Sequence, residues 1–461
     1  NDEKGTSSFL LGKIEKKKKD YEKAINYFLE SIKEQNCESM YEYGKILYKG
    51  DGIPINKEKA IDYYKQSIEN GNLKAMFRLG KMMKEGELVE KNVENGIKLI
   101  KMSADNGYPK ASFFYSIMLE NGDCVPINKE ESIRYLKSAA NKGHIESMCK
   151  YSIEMKSNSN DPESMAESLI FAKKASDKGH FESMYDYGMM LFEGNFIQKN
   201  KKESSKYFKI SAYYGNSKAM TQYGRMLVYG EGIPVNEKEG IDFILHAIDQ
   251  GNCDAMDIYG LMLKNGEGVP INKEKAIKYF KMAIDKGNDD AMDNLGYMYQ
   301  VGDFVPVDKK EAIKYYKMAI DKGNGDAMYH YARMLQYGEG IEMNKEEAVK
   351  YYKMAIDKGN NNALRSYYLM FEYDDEDSVY KKESIEFFKK AIEKGDEDII
   401  NTYGVLLVEG KEVNLDEAIK LFKKSVDLGN TNAMVNYAIL LLKLKGNDPS
   451  TKEEAIKYYK L

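Results

Sequence analysis

The amino-acid sequence predicts an all-α protein, a solenoid of about 13 stacked helix pairs. Three observations predict this fold class. A glycine recurs at a fixed period of 36 residues, from Gly71 to Gly395. Each period holds two runs of apolar residues at helical spacing, with a segment rich in glycine between them. Because neither helix can bury its apolar stripe alone, each helix pair is expected to stack on the next.

The stretch 251–286 shows the two helices of one repeat, which we call helix A and helix B. In helix A the apolar residues have the spacing of a single helix face: Ala255, Met256, Tyr259, Met262 and Leu263. Helix B repeats this spacing, with Asn272 as the expected N-cap and Gly287 closing its end. Between the helices, Gly266 and Gly268 allow positive φ, and Pro270 disfavours helix for the residue before it.

Residues of this unit resemble a known repeat family. The pattern comprises Ala255, Tyr259, Gly260, Leu263, Gly266, Gly268, Val269, Ala276, Tyr279, Phe280 and Ala283. It is similar to the Sel-1-like repeat family, a 36-residue relative of the tetratricopeptide repeat with a longer Gly-rich loop. The family often has Trp at the position of Tyr279, and this chain has no Trp. The resemblance implies a right-handed α/α superhelical solenoid that serves as a scaffold or adaptor in protein-protein interaction.

Domain organisation is predicted to be a single repeat array over residues 1–461. Residues 1–34 form an irregular first helix pair without the Gly-x-Gly loop, and 35–428 hold eleven repeats. The last pair, 429–461, stops inside helix B and exposes an apolar stripe at Val435, Ile439 and Leu442. Solenoids usually cap such a stripe with a polar helix, so we expect either a longer natural chain or an end-on contact with a neighbour.

The charge balance excludes some classes of partner. The chain has 69 basic and 74 acidic residues, a net charge of −5, and both signs alternate along helix B as on solvated faces. We therefore expect no nucleic acid partner. Apolar runs are too short to span a bilayer, so we expect no membrane insertion.

Cysteine spacing bears on the compartment. Cys37, Cys124, Cys149 and Cys253 fall in different repeats. The resemblance implies paired cysteines for the secreted bacterial branch of the family, some of whose members are described as binding or hydrolysing β-lactams. The spacing here favours a reducing compartment, and we predict a cytoplasmic protein. The ER lumen stays open as an alternative, because the sequence begins at Asn1 without Met.

Motifs for catalysis, cofactors or metals are not evident. The repeated Gly-x-Gly follows a helix rather than a strand and lacks the Lys of a phosphate-binding loop. His144 and His180 occupy the same position in successive repeats, but stacked layers would hold them roughly 10 Å apart, too far to share a metal. The acidic run 374–377 lacks calcium-loop spacing. The sequence thus predicts no enzyme, no cofactor and no metal site.

Partner-binding residues are expected on the concave side. The resemblance implies that helix A lines this side, with inward positions 3, 6, 10 and 13 residues after the opening glycine. The candidates are Tyr41, Phe77, Phe113, Ile117, Tyr185, Met189, Arg225 and Arg333. This row is aromatic in the first half of the chain and charged in the second, with Asp254, Asp257, Asp290 and Asp293. We expect the aromatic side chains to face solvent, carry little core burial and anchor a peptide or helix.

The predicted function is a non-enzymatic scaffold or adaptor whose partners are other proteins. One alternative is a structural component of a large assembly such as the cytoskeleton. The other is a β-lactam-binding enzyme of the cysteine-rich type, which the cysteine spacing argues against. The residues do not name the partners.

Overall fold

The computed structural model describes residues 2–87, 91–157, 161–194, 197–372, 378–410, 413–445 and 449–459. Within these ranges the chain forms 26 α-helices and no strand. The predicted all-α fold and its 13 helix pairs are therefore confirmed. Odd-numbered helices are the A helices of the repeats, and even-numbered helices are the B helices.

The chain divides into two compact units, Asn1–Phe243 and Ile244–Leu461. The first unit contains α1 (Asp2–Lys17), α2 (Tyr21–Lys33), α3 (Cys37–Lys49), α4 (Lys57–Glu69), α5 (Leu73–Glu85), α6 (Val93–Asp105), α7 (Pro109–Asn121), α8 (Lys129–Asn141), α9 (Ile145–Ser157), α10 (Pro162–Asp177), α11 (Phe181–Glu193), α12 (Lys201–Tyr213) and α13 (Ser217–Tyr229). The division falls within α14 (Glu237–Asp249).

The second unit contains α15 (Cys253–Asn265), α16 (Lys273–Asp285), α17 (Asp289–Val301), α18 (Lys309–Asp321), α19 (Gly325–Tyr337), α20 (Lys345–Asp357), α21 (Asn361–Met370), α22 (Val379–Lys394), α23 (Glu397–Glu409), α24 (Leu415–Asp427), α25 (Thr431–Lys445) and α26 (Pro449–Tyr459). The single array over 1–461 stays a prediction.

Short-range signals fix where each helix begins and ends. Asn272 caps α16 as predicted, because its side chain accepts a hydrogen bond from the Lys275 backbone N–H. The residue after the opening glycine caps helix A in the same way in most repeats, as Asn252 does for α15, whereas Tyr108 makes no such bond at the start of α7. Gly266 ends α15 in the left-handed region at φ 77°, and Gly268 follows at φ 68°. The predicted turn chemistry of the loop is therefore confirmed.

A glycine on helix A lets the two helices of a repeat approach closely. A Cβ atom on Gly260 would lie 2.8 Å from Cε1 of Phe280, a ring of helix B that is fully buried. Gly188 has the same relation to Phe208, at 2.7 Å. The missing side chain at these glycines therefore lets the ring of helix B lie directly against helix A.

Candidate protein-binding face

The eight predicted partner-binding residues all lie on A helices. Tyr41 is on α3, Phe77 on α5, Phe113 and Ile117 on α7, Tyr185 and Met189 on α11, Arg225 on α13 and Arg333 on α19. Seven of them belong to the first unit and Arg333 belongs to the second. That this row forms a concave binding surface stays a prediction.

Aromatic residues of this row are half-buried in the first unit. The Tyr41 ring centroid is 5.8 Å from that of Tyr64 on helix B of the same repeat. Phe77 lies 5.5 Å from Phe114 in the next repeat, and Phe113 lies 5.1 Å from His144. The expectation of little core burial was therefore wrong. These rings extend the core of one layer and also leave part of their surface exposed.

Cations lie over several of these rings. The Lys45 Nζ is 5.3 Å from the centroid of Tyr41, and the Lys81 Nζ is 5.0 Å from that of Phe114. Lys45 is also paired with Glu42 at 3.3 Å. The face is thus aromatic with a charged margin whose charges are largely paired within the chain.

Two clusters of side chains in the first unit have the same composition, an aromatic ring, an arginine and a glutamate. In the Phe192 group, the Arg225 guanidinium lies 5.3 Å from the ring of Phe192 and 3.4 Å from the Glu231 carboxylate. In the Tyr48 group, the Arg78 guanidinium lies 4.9 Å from the Tyr48 ring, and its nitrogen is 3.8 Å from Glu87. The Tyr48 hydroxyl donates a hydrogen bond to Glu87.

Buried polar atoms near these two groups are incompletely hydrogen-bonded. Across the described ranges, four buried side-chain atoms make no hydrogen bond of good geometry: the Tyr64 hydroxyl, Gln222 Oε1, Arg225 Nε and Glu231 Oε2, the last of which is ion-paired with Arg225. Burial raises the pKa of Tyr64 to about 12, and the charge of Arg78 and a hydrogen bond from its side chain oppose that rise. Gln222 lies on α13 together with Arg225. Tyr64 was not among the sequence candidates, because it lies on helix B among core residues.

Charged residues of the predicted row in the second unit join consecutive repeats. The Asn288 side-chain amide donates to Asp254 and the Asn294 amide donates to Asp257, both at 2.9 Å. His330 Nδ1 lies 2.9 Å from Asp293 Oδ1. These carboxylates were expected on the binding face, and the structure shows that they bridge repeat to repeat.

Burial perturbs the pKa of these carboxyl groups. Asp257 is only 6% exposed, and this burial, together with the negative charges of Asp290, Asp254 and Asp293, raises its pKa to about 7 although Asn294 donates to it. Burial also raises the pKa of Asp293, and the hydrogen bond with His330 opposes that rise.

The remaining sequence candidates have local roles. His180 caps α11 by accepting from the Ser183 backbone N–H, and His144 Nδ1 lies 2.9 Å from Ser147 Oγ at the equivalent position. In the part of the chain that the structure describes, no cluster of three or more His, Cys, Asp or Glu could hold a metal ion. The acidic run 374–377 lies outside the described residues.

The four cysteines are unpaired: Cys37, Cys124, Cys149 and Cys253. Disulfides that would staple a repeat are therefore not formed between them. Of the helices described, none is both long enough and apolar enough to cross a bilayer.

The last helix pair has an exposed apolar surface. Val435 is 43% exposed and Ile439 is 51% exposed on α25, whereas Leu442 is half-buried. Ile439 also lines a shallow cavity of about 200 Å³ with Val405, Val408 and Phe422. The apolar stripe expected here is present on the described part of α25.

Comparison with known proteins identifies the repeats. The chain matches the Sel1 repeat over residues 9–36, 37–72, 73–108, 109–144, 181–216, 217–252, 253–288, 289–324, 325–360, 376–396, 403–430 and 431–461. No curated protein sequence matches the chain.

Several solved structures resemble the fold. A Sel1 repeat protein from Oxalobacter formigenes is 24% identical, with 66% of this chain and 88% of that chain covered and a TM-score of 0.48. The c5321 protective antigen of uropathogenic Escherichia coli is 20% identical over 95% of this chain and 86% of its own, with a TM-score of 0.39. Yeast Tom70 is 16% identical over 99% of both chains, with a TM-score of 0.44. Because the repeat matches cover most of the sequence and coincide with the helix pairs, this chain belongs to the Sel1 repeat family.

Proposed function

We propose that this protein is a non-enzymatic scaffold that binds a peptide or helix of partner proteins on the helix A face of its first unit. Repeat solenoids of this type are typically protein-protein interaction scaffolds. The observation that carries the proposal is the row of half-buried aromatic side chains on four A helices, α3, α5, α7 and α11, at Tyr41, Phe77, Phe113 and Tyr185.

These side chains have the properties of binding anchors. Rings that are already packed on one side lose little conformational entropy when a partner covers the other side. Tyr185 packs against Phe208 at 5.8 Å, and Met189 beside it is also half-buried. Lys45 and Lys81 over neighbouring rings supply a polar margin, as is common around the apolar centre of an interface.

Other functions have weaker support. An end-on contact through Val435 and Ile439 is a second candidate surface, because both side chains are exposed and apolar. A structural role in a large assembly would use the same end. The unpaired cysteines argue against the cysteine-rich β-lactam-binding type. A cytoplasmic location stays a prediction.

The test is a pull-down from cells with wild type and the triple variant Phe77→Ala, Phe113→Ala, Tyr185→Ala. Because these rings are half-buried, the variant must first show the helix content of wild type by circular dichroism at the assay temperature. The matched control is Ile170→Ala with Ile210→Ala, which removes exposed apolar side chains from B helices of the same unit. We expect the triple variant to lose partners that the control retains. Equal recovery of partners by all three proteins would show that these rings do not bind them and would favour the surface at Val435 and Ile439.

A further inference from the structure

A cavity in the second unit interrupts the packing of consecutive repeats. It has a volume of about 420 Å³ and lies among α20, α21, α22 and α23. Two buried side chains, Leu364 and Ala391, form part of its lining. Half-buried apolar side chains add to this lining, at Ile356, Phe387 and Ile399. We call this space the α22 cavity, because α22 contributes more residues to it than any other helix.

A lysine replaces a packed methionine beside this cavity. One position of helix B is occupied in α16, α18 and α20 by Met282, Met318 and Met354, and each of them packs against a buried apolar cluster. The same position in α22 is Lys390, which is exposed. A lysine carries its charged end to water, whereas a methionine fills irregular apolar space. The change from methionine to lysine thus leaves the apolar lining uncovered.

Two large side chains keep the surrounding helices apart. Tyr368 is buried in α21 at the position that Gly260 holds in α15, so a ring stands where the other repeat has no side chain. In α23, Ile399 holds the position at which Ala327 and Ala363 are fully buried in α19 and α21. Because a packed layer adapts poorly to added volume, both side chains separate neighbouring helices and open the space between them.

Two lysines of α22 stand at the mouth of the cavity. Lys390 and Lys394 are both exposed, and both contribute to the lining. Among the residues that the structure describes, neither of them forms an ion pair. Glu386, one turn before Lys390, is paired with Lys389 instead, at 2.8 Å. The charges of the two lysines can therefore pair with a ligand.

Two carboxylates also line the cavity, and one of them is already bound. Asp396 is the N-cap of α23, where its side chain accepts a hydrogen bond from the Ile399 backbone N–H at 2.9 Å. Asp357 ends α20 and is exposed. With the cap set aside, the lining carries two cations and one carboxylate, so the site favours a negatively charged group.

We propose that the α22 cavity binds a small organic anion, with an aromatic or aliphatic body on the apolar lining and an anionic group held by Lys390 and Lys394. Sites for small molecules measure about 300 to 1,000 Å³, are mostly apolar and carry a few polar groups that fix the ligand. The α22 cavity, at about 420 Å³, has this size and this composition. Pairing with an ammonium group adds affinity beyond that of apolar burial. Because the cavity lies in the second unit, the site is independent of the peptide binding proposed for the first unit.

The first test uses two fluorescent probes with the same ring system. The probe 8-anilinonaphthalene-1-sulfonate carries one negative charge, and N-phenyl-1-naphthylamine carries none. The double variant Lys390→Gln, Lys394→Gln removes both cations of the site. We expect it to bind the sulfonate at least about tenfold more weakly than wild type and the neutral amine within about twofold of wild type, as loss of charged hydrogen bonds implies. Sulfonate binding that this variant leaves unchanged would overturn the proposal.

A second variant fills the cavity. Lys390→Met restores the side chain found in α16, α18 and α20, and it should weaken binding of both probes at least about tenfold, because the methionine occupies the space that the rings need. It should also melt at or above the wild-type temperature, since apolar packing is restored. The matched control is Lys389→Met, the same substitution on the same helix at a lysine outside the lining, and both probes should bind it as they bind wild type. Equal probe binding by wild type and Lys390→Met would rule out the site.

Hydrogen exchange and displacement locate the bound probe and define its chemistry. The sulfonate should slow amide exchange in α22 and α23 of wild type and should not do so in Lys390→Met. Displacement of the probe by 1-naphthoate would identify a ring as the preferred body of the anion, and displacement by decanoate would identify a chain. Protection confined to helices other than α20 to α23, or displacement by neither carboxylate, would refute the proposal.

Discussion

Asp257→Asn should make the stability of the second unit less dependent on pH. Asp257 is almost fully buried, and its pKa in the folded protein is raised to about 7 from an ordinary value of 3.8. The folded state therefore favours the protonated carboxyl. The stabilisation from this group is complete below about pH 4 and is lost as the pH rises towards 7. Asparagine stays neutral at every pH and keeps a carbonyl oxygen to accept from Asn294.

The size of the effect follows from the pKa shift. Stability falls by about 1.4 kcal/mol for each pH unit between the two pKa values. Between pH 5 and pH 8 the wild-type repeat should thus lose about 3 kcal/mol through Asp257, because the slope levels off above pH 7. Asp257→Asn should avoid that loss and be the more stable protein at pH 8.

Native-state hydrogen exchange of the α15 and α17 amides is the appropriate assay, because repeats open locally rather than all at once. Wild type and variant are compared at the same pH, so that intrinsic exchange rates and other titrating groups cancel. Asp254→Asn is the matched control: Asp254 accepts from Asn288 in a similar way, but its side chain is exposed. A difference between Asp257→Asn and wild type that is the same at pH 5 and pH 8 would refute the reasoning.

Three further predictions concern packing, linkage and charge. Gly260→Val should destabilise the protein by about 1 to 3 kcal/mol through overpacking against Phe280. Gly260→Ala should cost less, since Ala332 occupies this position in α19, and a Gly260→Val variant with the melting temperature of wild type would exclude the close contact. Asn288→Ala should lower the free energy of unfolding by about 1 to 2 kcal/mol, because it removes both the N-cap of α17 and the hydrogen bond to Asp254. Asn272→Ala, which removes a cap alone, is the comparison; equal losses of unfolding free energy in urea would show that the bond to Asp254 contributes nothing. Charge reversal at Arg225 or Arg333 should alter the salt dependence and association rate of partner binding more than its dissociation rate, as measured by surface plasmon resonance, and a change confined to dissociation would contradict a role at the margin.

Much of the fold was accessible from the sequence because its determinants are local. The two helices of a repeat follow from apolar spacing within 13 residues, as in α15 and α16. Asn272 could be recognised as a cap and Gly266 as a turn residue because both act on backbone groups a few residues away. Gly260 and its ring partner Phe280 recur together with the period of the repeat, as Gly188 and Phe208 do.

The candidate site was predicted only in outline. The helix A assignment placed Tyr41, Phe77 and Arg225 correctly on A helices, yet it missed that the rings are half-buried and that Arg225 stacks over Phe192. Side-chain burial depends on what the adjacent layer supplies. A position within one repeat does not reveal this, since the neighbouring repeat can present a ring, a cation or an amide.

The sequence by itself determined the repeat period, the helix pairs and the family, because each of these depends on residues close together in the chain. The tertiary structure alone decided which polar groups are paired. Asp257 has its pKa raised by burial and finds its hydrogen-bond donor 37 residues away at Asn294. The Tyr316 hydroxyl donates to Gln300, whereas the residue at the same spacing before Tyr64 is Tyr48, whose own hydroxyl donates to Glu87 in the next repeat. Desolvation and hydrogen bonding depend on atoms that meet across layers, and only the folded chain brings those atoms together.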